Sequence, residues 1–152
     1  KRPFDFELAP IDLREDNYRL LNGTFGIPSL YAIQPGVDII AEIGIDAIRA
    51  KNVRQTAILV EKALEAGYTV RTPLDPEARG GMIVIDMPHS YEISRELMAR
   101  DFQLDWRNQA GIRISPHFYN TDDEIHAVMD EIATIIKTGA WEQHATQRTF
   151  VT

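Results

Sequence analysis

The sequence predicts an α/β domain of the α+β type, a small and mainly antiparallel sheet covered by helices. Three observations carry that prediction. Long stretches repeat their apolar residues at three and four, the helical interval. Short stretches alternate, the strand interval. Their order is two helices, two strands, a helix, two strands and a helix, with no internal repeat or low-complexity tract.

Residues 1–25 mix Pro3, Pro10, charges and isolated apolar side chains without a lasting period, so they are expected to form an extended arm. From Pro28 onward, Leu30, Ile33, Val37, Ile40 and Ala41 mark an amphipathic helix. Pro35-Gly36 lies inside it and predicts a kink or break, and Gly44 ends it. Residues 46–66 carry the strongest helical pattern, with Ala47, Ile48, Val53, Ala57, Val60, Ala63 and Leu64 on one face and Gly67 as the stop. Residues 68–72 and 82–86 read as strands, separated by a loop over 73–81. Ser90 is expected to cap a helix over 91–100. Residues 102–105 and 111–115 read as two further short strands. Thr121 and Glu124 match a capping box, and the helix after them shows Ile125, Val128, Met129, Ile132, Ile135 and Ile136 on one face.

Composition narrows the function classes. The 152 residues suffice for one sizeable core, and 44% apolar with 26% charged residues is ordinary for a globular chain. A net charge of −7, without a Lys/Arg block, argues against nucleic acid as a partner. The absence of cysteine rules out disulfides and thiolate chemistry within these residues. No apolar run reaches the roughly 18 residues of a membrane span, and residues 1–5 lack the apolar core of a signal peptide. A soluble, cytoplasmic protein without membrane partners is the expectation.

Few side chains suggest chemistry by spacing. His89, His117, His126 and His144 are scattered, so no metal site is expected. Gly80-Gly81 reads as a turn into a strand rather than an anion nest, because neither a lysine nor a strand-loop-helix context accompanies it. Asp122, Asp123 and Glu124 suit the first turn of a helix better than acid–base catalysis. Arg113 stands between Ile112 and Ile114, and alternation turns it to the other face, toward solvent, another domain or a ligand. A guanidinium there can clamp a carboxylate, although an exposed or salt-bridged arginine explains the same pattern.

The ordered set Asp105-Trp106-Arg107-Asn108, Gly111-Ile112-Arg113, Pro116 and Tyr119-Asn120-Thr121 resembles the C-terminal signature of kynureninases. The later arginine and Tyr-Asn-Thr are shared with class V aminotransferases and cysteine desulfurases. Thr138-Gly139-Ala140-Trp141 resembles kynureninase tails, and Asn22-Gly23-Thr24 before Ile27-Pro28 resembles the Gly-Thr-Pro segment that opens the small domain. The likeness covers about residues 18–141.

The resemblance implies the C-terminal small domain of a fold-type-I pyridoxal 5′-phosphate (PLP) enzyme. Residues 1–25 would be the connection from a missing N-terminal large domain, and 26–152 the small domain. Arg113 would bind the α-carboxylate of a small amino-acid substrate. Thr24 would approach the cofactor phosphate of the neighbouring subunit in a homodimer, although Phe25-Gly26 stands where the family usually has proline. Arg107 and Asn108 would support the Arg113 strand. No catalytic residue is assigned to this chain. Its lysines are Lys1, Lys51, Lys62 and Lys137, and none follows a strand as a Schiff-base lysine does. The implied whole enzyme hydrolyses kynurenine to anthranilate and alanine in tryptophan catabolism, or is a class V aminotransferase, with this chain inactive alone. The lack of cysteine argues against a cysteine desulfurase. The rival reading is a free-standing small-molecule-binding or regulatory α/β domain.

Overall fold

A computed structural model describes residues 13–21 and 23–145; the arm expected over 1–25 therefore lies partly outside the described residues. The chain forms two compact units, Lys1–Glu42 and Ile43–Thr152.

In the first unit, the arm expectation meets a local exception. Asp16 caps a 3-10 turn, Asn17–Leu20, by accepting the Tyr18 N–H at 3.1 Å. Helix α1 (Ile27–Ile43) runs without a break through Pro35, contrary to one of the two outcomes expected there. The proline removes a single donor and leaves one carbonyl without its helical partner. The hydrogen bonds on either side carry the helix across that gap. No residue of α1 is buried.

The second unit opens with α2 (Ile45–Glu65), closed by Gly67 at φ 76°. Its buried stripe is Gln55, Thr56, Leu59 and Ala63, which shares only Ala63 with the apolar face expected from sequence; Val60 packs at the edge of the core and Leu64 is half exposed. Two polar residues enter the stripe because they find acceptors. Gln55 Nε2 donates to the Asn120 carbonyl and Asp122 Oδ1, both at 3.0 Å, and the Thr56 hydroxyl donates to the Asn52 carbonyl at 2.9 Å.

Four strands follow: β1 (Thr69–Val70), β2 (Ile83–Asp86), β3 (Asp105–Arg107) and β4 (Gly111–Ile114). They form one antiparallel sheet in the order β1-β2-β4-β3. β1 is shorter than expected because Thr72 meets the Val84 N–H with its hydroxyl and Pro73 cannot donate. β3 starts where the expected strand over 102–105 ends. Its ladder stops at the Asp105↔Arg113 pair, and Ser115-Pro116 ends β4 before residues 102–104 find partners. Phe102 and Leu104 instead pack against the core.

Helix α3 (Ser90–Ala99) begins at Ser90 rather than being capped by it. The cap position belongs to His89, at φ 62°, because the Ser90 hydroxyl donates to Asp86 and accepts from the Trp106 indole. Helix α4 (Asp122–Thr138) starts on the expected capping box and buries Ile125, Val128, Met129, Ile132 and Ile135.

All three helices of this unit cover one face of the sheet. Leu59, Ile93, Leu97 and Ile132 meet Ile83, Ile85 and Ile112 in a single fully buried cluster. Alternation then leaves Val84, Asp105, Arg107 and Arg113 on the face away from the core.

Candidate functional site: an arginine fork beside a hollow

Arg113 sits in the middle of β4, opposite Val84 on one side and Asp105 on the other. The register makes the pairing. Arg113 Nε donates to Asp105 Oδ1 at 2.8 Å, and Arg113 Nη2 donates to Asp105 Oδ2. Arg107 Nη2 reaches the same Oδ2 at 2.8 Å. One carboxylate is thus shared by two guanidinium groups, and the trio keeps one positive charge. Arg113 and Asp105 are about one-third exposed, so the pair is open to a ligand.

A hollow of about 290 Å³ lies at this point, lined by Gln103, Leu104, Asp105, Arg113 and Ser115. Asn108 is exposed in the turn between β3 and β4, and Arg107 faces Gly111 across the ladder. Gly111 is needed where it stands. Its φ is 116°, and a Cβ there would run into the Ile85 carbonyl and Asp86 Cα of β2. Thr24 lies in the first unit, in an exposed bend before α1.

A larger hollow, about 750 Å³, opens at the start of α2 and along Gly80-Gly81 and 115–118. Its cations are already engaged by the backbone. Arg49 donates to the carbonyls of Pro76 and Arg79, and buried Arg79 donates to the Leu74 carbonyl and the Thr56 hydroxyl. These bonds fix the loop over 73–81 that leads into β2. Gly81 belongs to the same packing, since a Cβ on it would come within 2.9 Å of Asn52.

The remaining candidates are scattered. Asp122 pairs with Arg54, which holds its carboxyl below the usual range, and Glu124 is lowered chiefly by the Thr121 backbone N–H it accepts. Both stabilise the start of α4. Among the described residues no three His, Cys, Asp or Glu side chains stand together as metal ligands. His89 stacks on Trp141, with ring centroids 3.7 Å apart, and His144 bonds Glu96 at 2.8 Å. Among the described helices none is long and apolar enough to cross a membrane.

The sequence singles out Arg113 and allows it to be salt-bridged, but does not name Asp105 as the partner. The signal was present in the spacing. A turn of residues 108–110 returns the chain so that 105 faces 113, a sum of 218 shared by every pair of the hairpin.

One helical layer on an antiparallel sheet is the architecture of the C-terminal small domain of class V, fold-type-I PLP enzymes. The profile of the kynureninase C-terminal domain matches residues 48–132, and the chain belongs to that family. It is 27% identical over 134 residues to the kynureninase of Bacillus anthracis, covering 83% of this chain and 31% of that protein. It is 30% identical over 129 residues to the kynureninase of Burkholderia mallei (strain SAVP1), covering 81% and 31%. The chain therefore spans about a third of the length of these relatives. Among solved structures it shares its fold with the apo cysteine desulfurase from Thermococcus onnurineus NA1, at TM-score 0.72 and 18% identity over 88% of this chain and 37% of that one. A NifS-like protein aligns at TM-score 0.65 and 19% identity, over 85% and 39%.

Proposed function

We propose that this chain is the C-terminal small domain of a longer, homodimeric PLP enzyme that hydrolyses kynurenine to anthranilate and alanine. Its part in that reaction is to bind the substrate α-carboxylate at Arg113. The observation that carries the reading is the Arg113 fork, held on the sheet face away from the core beside a hollow. A carboxylate met by two parallel charge-assisted bonds is fixed in orientation as well as in place. A planar fork does this better than a lysine, whose charge is a point.

The described residues do not fit the covalent anchor of the cofactor. That anchor is a lysine able to lose its proton within reach of substrate. Lys51 donates to the Phe118 carbonyl at 2.7 Å, and Lys62 pairs with Asp130 at 3.2 Å. Lys137 is exposed near the end of α4. The anchor belongs to the rest of the longer protein, and this chain alone is inactive. Thr24 is assigned to the cofactor phosphate from the neighbouring subunit, its exposed hydroxyl being a suitable donor. Arg107 and Asn108 support the site, the first through Asp105.

The test is anthranilate release from L-kynurenine by the longer protein, with and without Arg113→Lys. The substitution should raise KM on the order of ten- to a hundredfold, since charge persists but the fork is lost. Turnover of another amino acid with the same Arg113 dependence would move the reaction to an aminotransferase. An unchanged KM would remove Arg113 from the site.

A further inference from the structure

We infer that Asp105 is the positioning residue of the carboxylate site: it holds one edge of the Arg113 guanidinium and presents the other to the incoming acid. The inference rests on the reading of Arg113 given above. A guanidinium carries five N–H donors and can meet a carboxylate along its Nε–Nη edge or across its two terminal nitrogens. Asp105 takes the first edge, with Oδ1 on Nε and Oδ2 on Nη2. Among the described residues no protein acceptor meets Nη1. The terminal edge is therefore left for a ligand, and Arg113 and Asp105 both line the 290 Å³ hollow.

Charge supports the same division of roles. Asp105 alone would neutralise Arg113 and weaken its hold on an anion. Arg107, on the same Oδ2 at 2.8 Å, restores one net positive charge to the trio, the complement of a single substrate carboxylate. Geometry supports it as well. An arginine without a partner samples many rotamers, and fixing it before the ligand arrives removes that cost from binding. The cross-strand pairing of Asp105 with Arg113 provides the fixing from two rigid backbone positions.

A rival role for the same contact is a plug, with Asp105 competing with substrate for the arginine. Steady-state kinetics of the longer protein separate the two. As a positioning residue, Asp105→Asn should raise KM for L-kynurenine about tenfold, the scale of one charged hydrogen bond. Its kcat should stay within about threefold, because the reacting atoms are untouched. Asp105→Glu, which keeps the charge one methylene further out, should recover part of that loss. Either variant alone decides the matter if the other folds poorly. A KM that is unchanged or lower in the variants, while Arg113→Lys raises it, overturns the inference and leaves the arginine reading standing. A KM insensitive to Arg113→Lys removes that reading itself.

Discussion

Gly111 and Arg113 lie two residues apart, and the first makes the second possible. β2 and β4 approach so closely at Gly111 that the Ile85 carbonyl occupies the space of a side chain. Replacing it with alanine combines that clash with a left-handed φ of 116°. Gly111→Ala should cost about 2–4 kcal/mol, from one strained dihedral and a displaced strand. Urea unfolding followed by circular dichroism measures it, and an unchanged midpoint would mean that β4 is looser than described. At this scale the sequence was informative about direction and silent about partners. Alternation showed which way Arg113 turns. It did not show Asp105, because that contact follows from a register rather than from either residue. Glu96 was equally hidden: its partners Gln143 and His144 lie 47 and 48 positions away.

Glu96 belongs with the elements it joins. It is buried on α3 and accepts from Arg100 on the same helix and from Gln143 and His144 in the C-terminal 3-10 turn, Ala140–His144. Burial pushes its carboxyl upward, and the hydrogen bonds from His144, Arg100 and Gln143 outweigh it, holding it below the usual glutamate range. The sign follows from linkage. A carboxyl with a depressed folded pKa contributes stability that is complete above its unfolded value and disappears as pH falls through the folded one. The turn should therefore stay clasped to α3 at neutral pH and loosen below the ordinary glutamate range. The Trp141 indole resonance, stacked on His89, reports that change by NMR, and Glu96→Gln should shift it toward the low-pH position even at pH 7. Among the elements, α4 was legible almost residue for residue, since its apolar stripe and capping box are both local patterns. The buried face of α2 was not. Gln55 and Thr56 are inside because the 120–122 segment and the helix backbone offer acceptors, which no apolar periodicity reveals.

For the whole molecule, the fold class was readable because short alternating strands between amphipathic helices admit few layer arrangements. In the first unit, Leu20 is 74% and Tyr31 79% exposed, with Leu21 and Phe25 close to half. Along α1, Leu30, Ile33 and Val37 are likewise half exposed or more. Among the described residues, every buried core side chain lies in the unit from Ile43 onward. Expressed without residues 1–42, it should unfold cooperatively with a melting midpoint within a few degrees of the full chain and self-associate less. Calorimetry and sedimentation velocity check the two halves of that expectation, and loss of the cooperative transition would make the first unit part of the folding core.

One consequence of the β3–β4 hairpin concerns parity. Asp105, Arg107 and Arg113 share a face only because the turn over 108–110 brings every pair to the same sum, with Gln109 holding a left-handed φ of 61°. A connection one residue longer would shift one strand by a single step and send its side chains to the opposite face. Asp105 and Arg107 would then point into the apolar core and Trp106 out of it, with no charged residue altered. The proposed carboxylate site is in this sense an arithmetic property of the loop: an insertion that changes none of its residues would take it apart.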